Sequence, residues 1–478
     1  MTEKQHVLCR RLRHQSILWA ALSVLLVFLA SCGGGSSSSS TLPTPTFPLI
    51  PTVTPQPSTT GDTGASGGSD WTMYHRDTQR TDYIATTPDP QRLTKAWSKQ
   101  LDGAVYAEPL VVGNRVIVAT EGDSLYSLDP VTGNVQWRTN VGAPVPGSAL
   151  PCGDINPLGI TGTPVYDPTT GLVYAVAEVS GPTHILVGVD VTTGQVKMRR
   201  AADTDGMDPR AHQQRGALAL ANGMIYITYG GLDGDCSDYI GRVVAAQTNG
   251  QGPLLVYRVP TPREGGIWAT PGPAIDTAGN VYVSVGNGEV TAGDWDHSDS
   301  VLKLSPTLHL EDAFAPTTWA AENASDADLG SQGVVLLPGD FIFIAGKGGK
   351  GYTLHANALG GVGGQIDAQN VCVSFGGAAV VGSTMFLPCV DGLRQVSVDA
   401  SGRIHQGWHA SGSITGSPVV GGHTVYSLSN GTIYALNMNN GKVVTSLNVG
   451  AVNRFATPTI AGKSLFLGTL EGITAVNI

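Results

Sequence analysis

From about residue 109 onward the chain alternates short apolar runs with turn residues, in the two-residue rhythm of half-buried strands and not the 3.6-residue rhythm of helices. The stretch Pro109-Leu110-Val111-Val112-Gly113-Asn114-Arg115-Val116-Ile117-Val118 reads as one strand, a tight turn and a second strand. The same pattern returns at Pro164, Leu218, Pro273, Gly333, Ala378, Pro418 and Pro458, at steps of 55, 54, 55, 60, 45, 40 and 40 residues. That spacing suits blades of four strands, so the pattern predicts an all-β propeller of eight blades, with seven as the alternative because the third copy is degenerate.

A second phrase follows in the better copies. Leu125-Tyr126-Ser127-Leu128-Asp129 leads through Thr132-Gly133-Asn134 into Val135-Gln136-Trp137, and Ile433 to Asn437 leads through Asn440-Gly441 into Lys442-Val443-Val444. A weaker version runs from Val187 to Asp190 and on through Thr193-Gly194-Gln195. The glycine supplies a turn with positive φ, and the tryptophan is expected to pack between neighbouring sheets. The eighth copy holds only three strands, to Val476. Thr94–Leu101, with Trp97 where the first copy has Trp137, is the expected fourth strand, closing the ring and removing a free edge.

Composition adds the compartment. Lys4, Arg10, Arg11 and Arg13 precede an apolar run from Ile17 to Leu29, which is short for a membrane span. Leu29-Ala30-Ser31-Cys32-Gly33 resembles a lipoprotein signal, so residues 1–31 are read as a signal peptide and Cys32 as the lipidated residue. The stretch from Cys32 to residue 70 is rich in Gly, Ser, Thr and Pro and is expected to be a disordered tether. Residues 71–478 form the propeller. Without residues 1–31 the chain has 23 Lys+Arg against 36 Asp+Glu, a formal charge of −13. An acidic body argues against nucleic acid as a partner. The expected location is the cell envelope, on the outer side of the cytoplasmic membrane or in the outer membrane.

Cys152, Cys236, Cys372 and Cys389 remain, an even set in an oxidising compartment. All four fall in loops or strand ends on one face of the expected propeller. Four cysteines allow three pairings; the placement favours Cys372–Cys389 within a blade and Cys152–Cys236 between blades, with free buried thiols as the alternative.

The repeat, and the entry phrase Trp71-Thr72-Met73-Tyr74-His75-Arg76-Asp77, resemble the pyrroloquinoline quinone (PQQ) repeat proteins over roughly residues 71–478. That family includes quinoprotein alcohol dehydrogenases and a cofactor-free propeller lipoprotein of the outer-membrane β-barrel assembly machinery. The resemblance to the enzymes implies a site of five residues. Trp268, in Gly266-Ile267-Trp268, would stack on the quinone. Asn287 and Glu178 would hold calcium. Asp328 would take the proton of an alcohol, and Lys347 would contact the quinone oxygens. Each residue also has a structural reading: a filler between blades, a turn residue, or a solvated loop charge. The adjacent cysteine pair of the alcohol dehydrogenases is absent, as is any Cys-x-x-Cys-His haem motif. The acidic loops Asp233–Asp238 and Asp294–Asp299 lack the EF-hand spacing and read as solvated.

Two functions follow from the resemblance. One is a lipid-anchored binding or scaffold module that holds an envelope protein, peptide or glycan on its loop-rich face. The other is a PQQ- and calcium-dependent alcohol or sugar dehydrogenase passing electrons to a separate acceptor.

Overall fold

The computed structural model describes residues 70–478; the signal run, Cys32 and the tether up to residue 69 lie outside the described residues. Eight antiparallel sheets follow one another in chain order, so the eight-blade expectation holds and the seven-blade alternative falls away. Blade 1 shows the plan: Leu110–Val112, Arg115–Ala119, Ser124–Leu128 and Val135–Asn140, each paired with the next. The innermost strands of the other blades are Val165–Asp167, Ala219–Ala221, Ala274–Ile275, Val335–Leu337, Ala379–Val381, Val419–Gly421 and Thr459–Ala461. Each begins within two residues of its predicted repeat start.

Burial explains why the middle strands are mostly apolar, with only small hydroxyls such as those of Ser124 and Ser127 buried among them. Val116, Val118, Leu125 and Leu128 are all essentially inaccessible, because both faces of a blade lie against neighbouring blades. Outer strands alternate instead, as in Val443–Asn448, where Thr445 and Leu447 are half-buried and Val444, Ser446 and Asn448 are exposed. The ring closes as the repeat count requires. Thr94–Gln100 pairs antiparallel with Gly472–Asn477 and supplies the fourth strand of blade 8.

Neighbouring blades dock through a repeated contact. The indole N–H of Trp97 donates to Pro130 O (3.1 Å), that of Trp137 to Val191 O (2.9 Å) and that of Trp408 to Met438 O (2.8 Å). Each indole therefore grips the outer turn of the following blade. It also covers that turn's glycine: a Cβ on Gly194, which sits at φ +72°, would come within 2.8 Å of the Trp137 ring. Gly133 under Trp97 and Gly441 under Trp408 are the same device. The Asp190 turn, weak in sequence, repeats the Asp129 turn bond for bond, with Asp Oδ1 accepting from the backbone and hydroxyl of Thr132 or Thr193.

The segment Trp71–Ile84 crosses one end of the channel and fastens to the inner strands. Trp71 exchanges backbone hydrogen bonds with Val111. Further along, Thr72 O accepts from Tyr166 N, Thr78 O from Ile275 N, Thr81 O from Val380 N and Asp82 O from Val420 N, at 2.7–3.0 Å. Tyr83–Ile84 then pairs in parallel with Val420–Gly421. At the centre of this strap the buried Arg80 donates to Tyr74 O (2.8 Å), Leu218 O (3.1 Å) and Pro273 O (3.2 Å). Buried His75 and Asp82 lie 3.2 Å apart beside it, and His75 N donates to Glu108.

Arg80 ties two blades and the strap with one side chain. Arg80→Met strands three buried carbonyl oxygens, each costing ~1–3 kcal/mol. The expected loss is ~3 kcal/mol, less than the sum because some carbonyls gain other contacts. A shift in the urea unfolding midpoint checks it, and a change under ~0.5 kcal/mol would mean that the strap is not held through Arg80.

Candidate functional site

Loops between blades, and between the second and third strands of a blade, converge on the channel end opposite the strap. They enclose a cavity of about 620 Å3. Four of the five residues implied by the quinoprotein resemblance line it: Trp268, Asn287, Asp328 and Lys347.

Local structure explains how Asp328 gets there. The short helix Trp319–Ser325 between blades 4 and 5 ends at Asp326, whose left-handed conformation (φ 52°) reverses the chain and turns Asp328 inward. Asp328 is then 2 % exposed. Its Oδ1 accepts from Asn287 N (2.5 Å), and its Oδ2 lies 2.7 Å from Lys347 Nζ. Glycine makes the approach possible, since a Cβ on Gly286 would lie 2.4 Å from Asp328 Oδ1. Lys347 Nζ also reaches Asp326 Oδ1 at 2.7 Å and sits 5.6 Å from the centre of the Trp268 ring.

Glu178 is placed elsewhere. It lies inside the second strand of blade 2, Leu172–Val179, and is not among the cavity-lining residues. Its Oε1 accepts from Gln214 N (2.8 Å) and its Oε2 faces His184 Nε2 at 3.5 Å. His184 Nδ1 in turn meets Asp203 at 2.6 Å. Burial works to lower the His184 pKa, but the flanking Glu178 and Asp203 carboxylates outweigh it and lift it to about 9. The imidazolium is thus the form that satisfies both acids.

Both disulfides brace the cavity wall. Cys152 is bonded to Cys236, joining the loop after blade 1 to a loop of blade 3 and carrying Asp154, Asp233 and Asp235 to the rim. Cys372 is bonded to Cys389, steadying the segment that presents Phe375. The Asp294–Asp299 loop is not solvated as expected: Asp296 and Asp299 are buried, with Asp296 Oδ1 accepting from the Ser298 hydroxyl and backbone.

Sequence reasoning missed a collar. The residues three places before six of the eight repeat starts are Tyr106, Thr161, Arg215, Thr270, Phe375 and Phe455, and all six face the axis. The repeat spacing itself was the signal that could have found them. Arg215 lies 4.3 Å from the centre of the Phe455 ring and Arg454 lies 3.8 Å from that of Phe375.

A bound calcium needs six to eight oxygen ligands converging at 2.3–2.6 Å. Here Glu178 is engaged by His184, the Asp328 oxygens are engaged by Lys347 and Asn287 N, and the Asn287 amide faces Glu264 Oε2 at 3.4 Å. The donor set of the resemblance does not converge. The Trp268 ring and the cations suit a planar anion; the carboxylates, as arranged, do not fit the metal.

Asp299 lies behind Asp328, its Oδ1 accepting from Leu329 N (3.0 Å) and its Oδ2 buried without a partner. Burial, and then the charge of Asp328, push its carboxyl up to about 8. A carboxyl raised on folding contributes stability below its unfolded value, ~3.9, and that contribution is lost as pH rises through the folded value. Asp299→Asn keeps the neutral shape, so the variant is expected to lose less stability than the parent between pH 5 and pH 8.5. Urea midpoints at the two pH values check this; parallel losses in both proteins would refute it.

The comparisons with known proteins divide between two kinds of relative. A europium-containing methanol dehydrogenase aligns over 85% of this chain and 98% of its own, at 15% identity and a TM-score of 0.67. The quinohemoprotein alcohol dehydrogenase of Comamonas testosteroni aligns over 85% and 80%, at 15% identity and a TM-score of 0.64. BamB from Moraxella catarrhalis aligns over 80% and 99%, at 14% identity and a TM-score of 0.57. At such identities the likeness is one of fold. No curated protein matches the chain. The family model described as outer membrane protein assembly factor BamB matches residues 56–357, more than half of the sequence. Eight blades of quinoprotein-type repeat and that match together assign the family: the chain belongs to the PQQ-repeat propellers described as outer membrane protein assembly factor BamB.

Proposed function

We propose that this chain is an extracytoplasmic, lipid-anchored binding module that works through its loop-rich face and carries out no quinone chemistry. One observation carries the reading. The side chains that would have to gather around calcium are paired with other groups: Glu178 with His184, and Asp328 with Lys347 and Asn287 N. Opening those pairs would leave charged groups buried without partners, at a cost of several kcal/mol per ion. A loop face braced by two disulfides suits recognition, where rigid loops lower the ordering entropy lost on binding.

The dehydrogenase reading has one observation in its favour, the shared cavity of Trp268, Asn287, Asp328 and Lys347. Calorimetry on the purified full chain separates the two. Under the binding-module reading PQQ gives no calcium-dependent heat, and Asn287→Ala and Glu178→Ala change nothing. Saturable, calcium-dependent binding that collapses in those variants would establish a quinoprotein instead. Anchoring is tested apart from this. Cells fed a labelled fatty acid are expected to label the chain, and Cys32→Ala is expected to abolish the label; label surviving in the variant would end the lipoprotein reading.

A further inference from the structure

Neither function uses the chemistry at the floor of the cavity. Of the six collar residues only Arg215 is charged. Among the described residues its guanidinium meets no hydrogen-bond acceptor, its Nε is buried without a partner, and it lies over the Phe455 ring. Just below lies a void of about 10 Å3, closed by Tyr74 of the strap. Around that void the Asn453 Nδ2 and the Thr270 hydroxyl are also buried and unpartnered, while the Thr161 hydroxyl faces the Glu121 carboxyl. The Asn453 amide is oriented by its Oδ1, which accepts from Phe455 N at 2.7 Å, so its N–H groups are the ones left over. A ring of unused donors around a half-buried cation is complementary to an anionic oxygen.

The charges above this floor narrow the ligand. Lys347 is committed to Asp326 and Asp328, leaving Arg215 and the exposed Arg454 as free cations of the lining. Asp154, Asp233 and Asp235, on the loops joined by Cys152–Cys236, face the cavity with negative charge, and Asp154 and Asp233 act on Arg215 through space. Between them stands an aromatic wall, with Trp268 at 6.3 Å from Phe375 and 6.5 Å from Phe455, centre to centre.

We infer that the axial cavity binds a small, flat monocarboxylate without a metal, its carboxylate held by Arg215 and the Asn453 amide and its flat body against Trp268. Asp154 and Asp233 select against a second carboxylate by like-charge repulsion. The inference rests on the binding-module reading and names the ligand chemistry of the same face.

The test is calorimetry on the purified full chain with calcium chelated, comparing 2-naphthoate, 2-naphthamide and 2,6-naphthalenedicarboxylate. The monoacid is expected to bind saturably, roughly tenfold or more tighter than the amide or the diacid, the size of one charge-assisted contact to a half-buried cation. Arg215→Met is expected to weaken the monoacid about tenfold and leave the amide unchanged. Asp154→Asn is expected to narrow the gap between monoacid and diacid. Equal affinity for acid and amide in the unmodified chain overturns the proposal, as does the absence of saturable heat at millimolar acid. Should Arg215→Met fail to fold, Arg454→Gln at the exposed position and the acid–amide comparison decide the matter. Failure here is distinct from failure of the binding-module reading, which falls only to calcium-dependent quinone binding that requires Asn287.

Discussion

A propeller blade is apolar on both faces and can bury neither alone, so the fold depends on each blade being covered by the next until the ring meets itself. In this chain that dependence is met at two radii. Near the rim, the indoles of Trp97, Trp137 and Trp408 rest on the turn glycines of the following blades and donate to a carbonyl there. At the last junction, Thr94–Gln100 enters blade 8 beside Gly472–Asn477 and ties the two ends of the ring together. Leaving that junction open would expose Gly472–Asn477 as an unpaired edge.

The closed ring then decides what the axis can be. Eight inner strands leave a channel, and the strap Trp71–Ile84 closes one end with backbone hydrogen bonds and the buried Arg80. The other end stays open and gathers the loops. A pocket in this position follows from closure and not from any one motif, which is how one fold serves both the dehydrogenases and BamB. What distinguishes this pocket is the pairing of its charges. Lys347 neutralises Asp328, His184 bridges Glu178 and Asp203, and Arg215 meets no hydrogen-bond acceptor among the described residues.

Burial makes those pairings consequential. In a low-dielectric interior an unpaired charge is costly, so carboxylates either find a cation or take up a proton. Glu121, Asp123 and Asp299 are each lifted to about 8, first by burial and then by neighbouring acids: Glu178 for Glu121, Glu121 for Asp123 and Asp328 for Asp299. The loop side of the ring therefore holds several acids shifted toward the protonated form, alongside Arg215 and Arg454, which keep their protons.

The sequence by itself pointed to eight blades over seven, to the closing strand and to the loop face. These depend on periodicity, turn glycines and strand-length apolar runs, all of which are local along the chain. It also placed Trp268, Asn287, Asp328 and Lys347 on one face, because each follows a strand at a fixed offset in its repeat. Only the tertiary structure decided that Glu178 turns to His184, that Asp299 is buried behind Asp328, and that Arg215 stands alone in a collar with residues as distant in sequence as Tyr106 and Phe455. The reason is physical: a strand fixes which way a side chain points by simple alternation. Which charge meets which partner across the axis depends on separations between blades, and no local pattern encodes those.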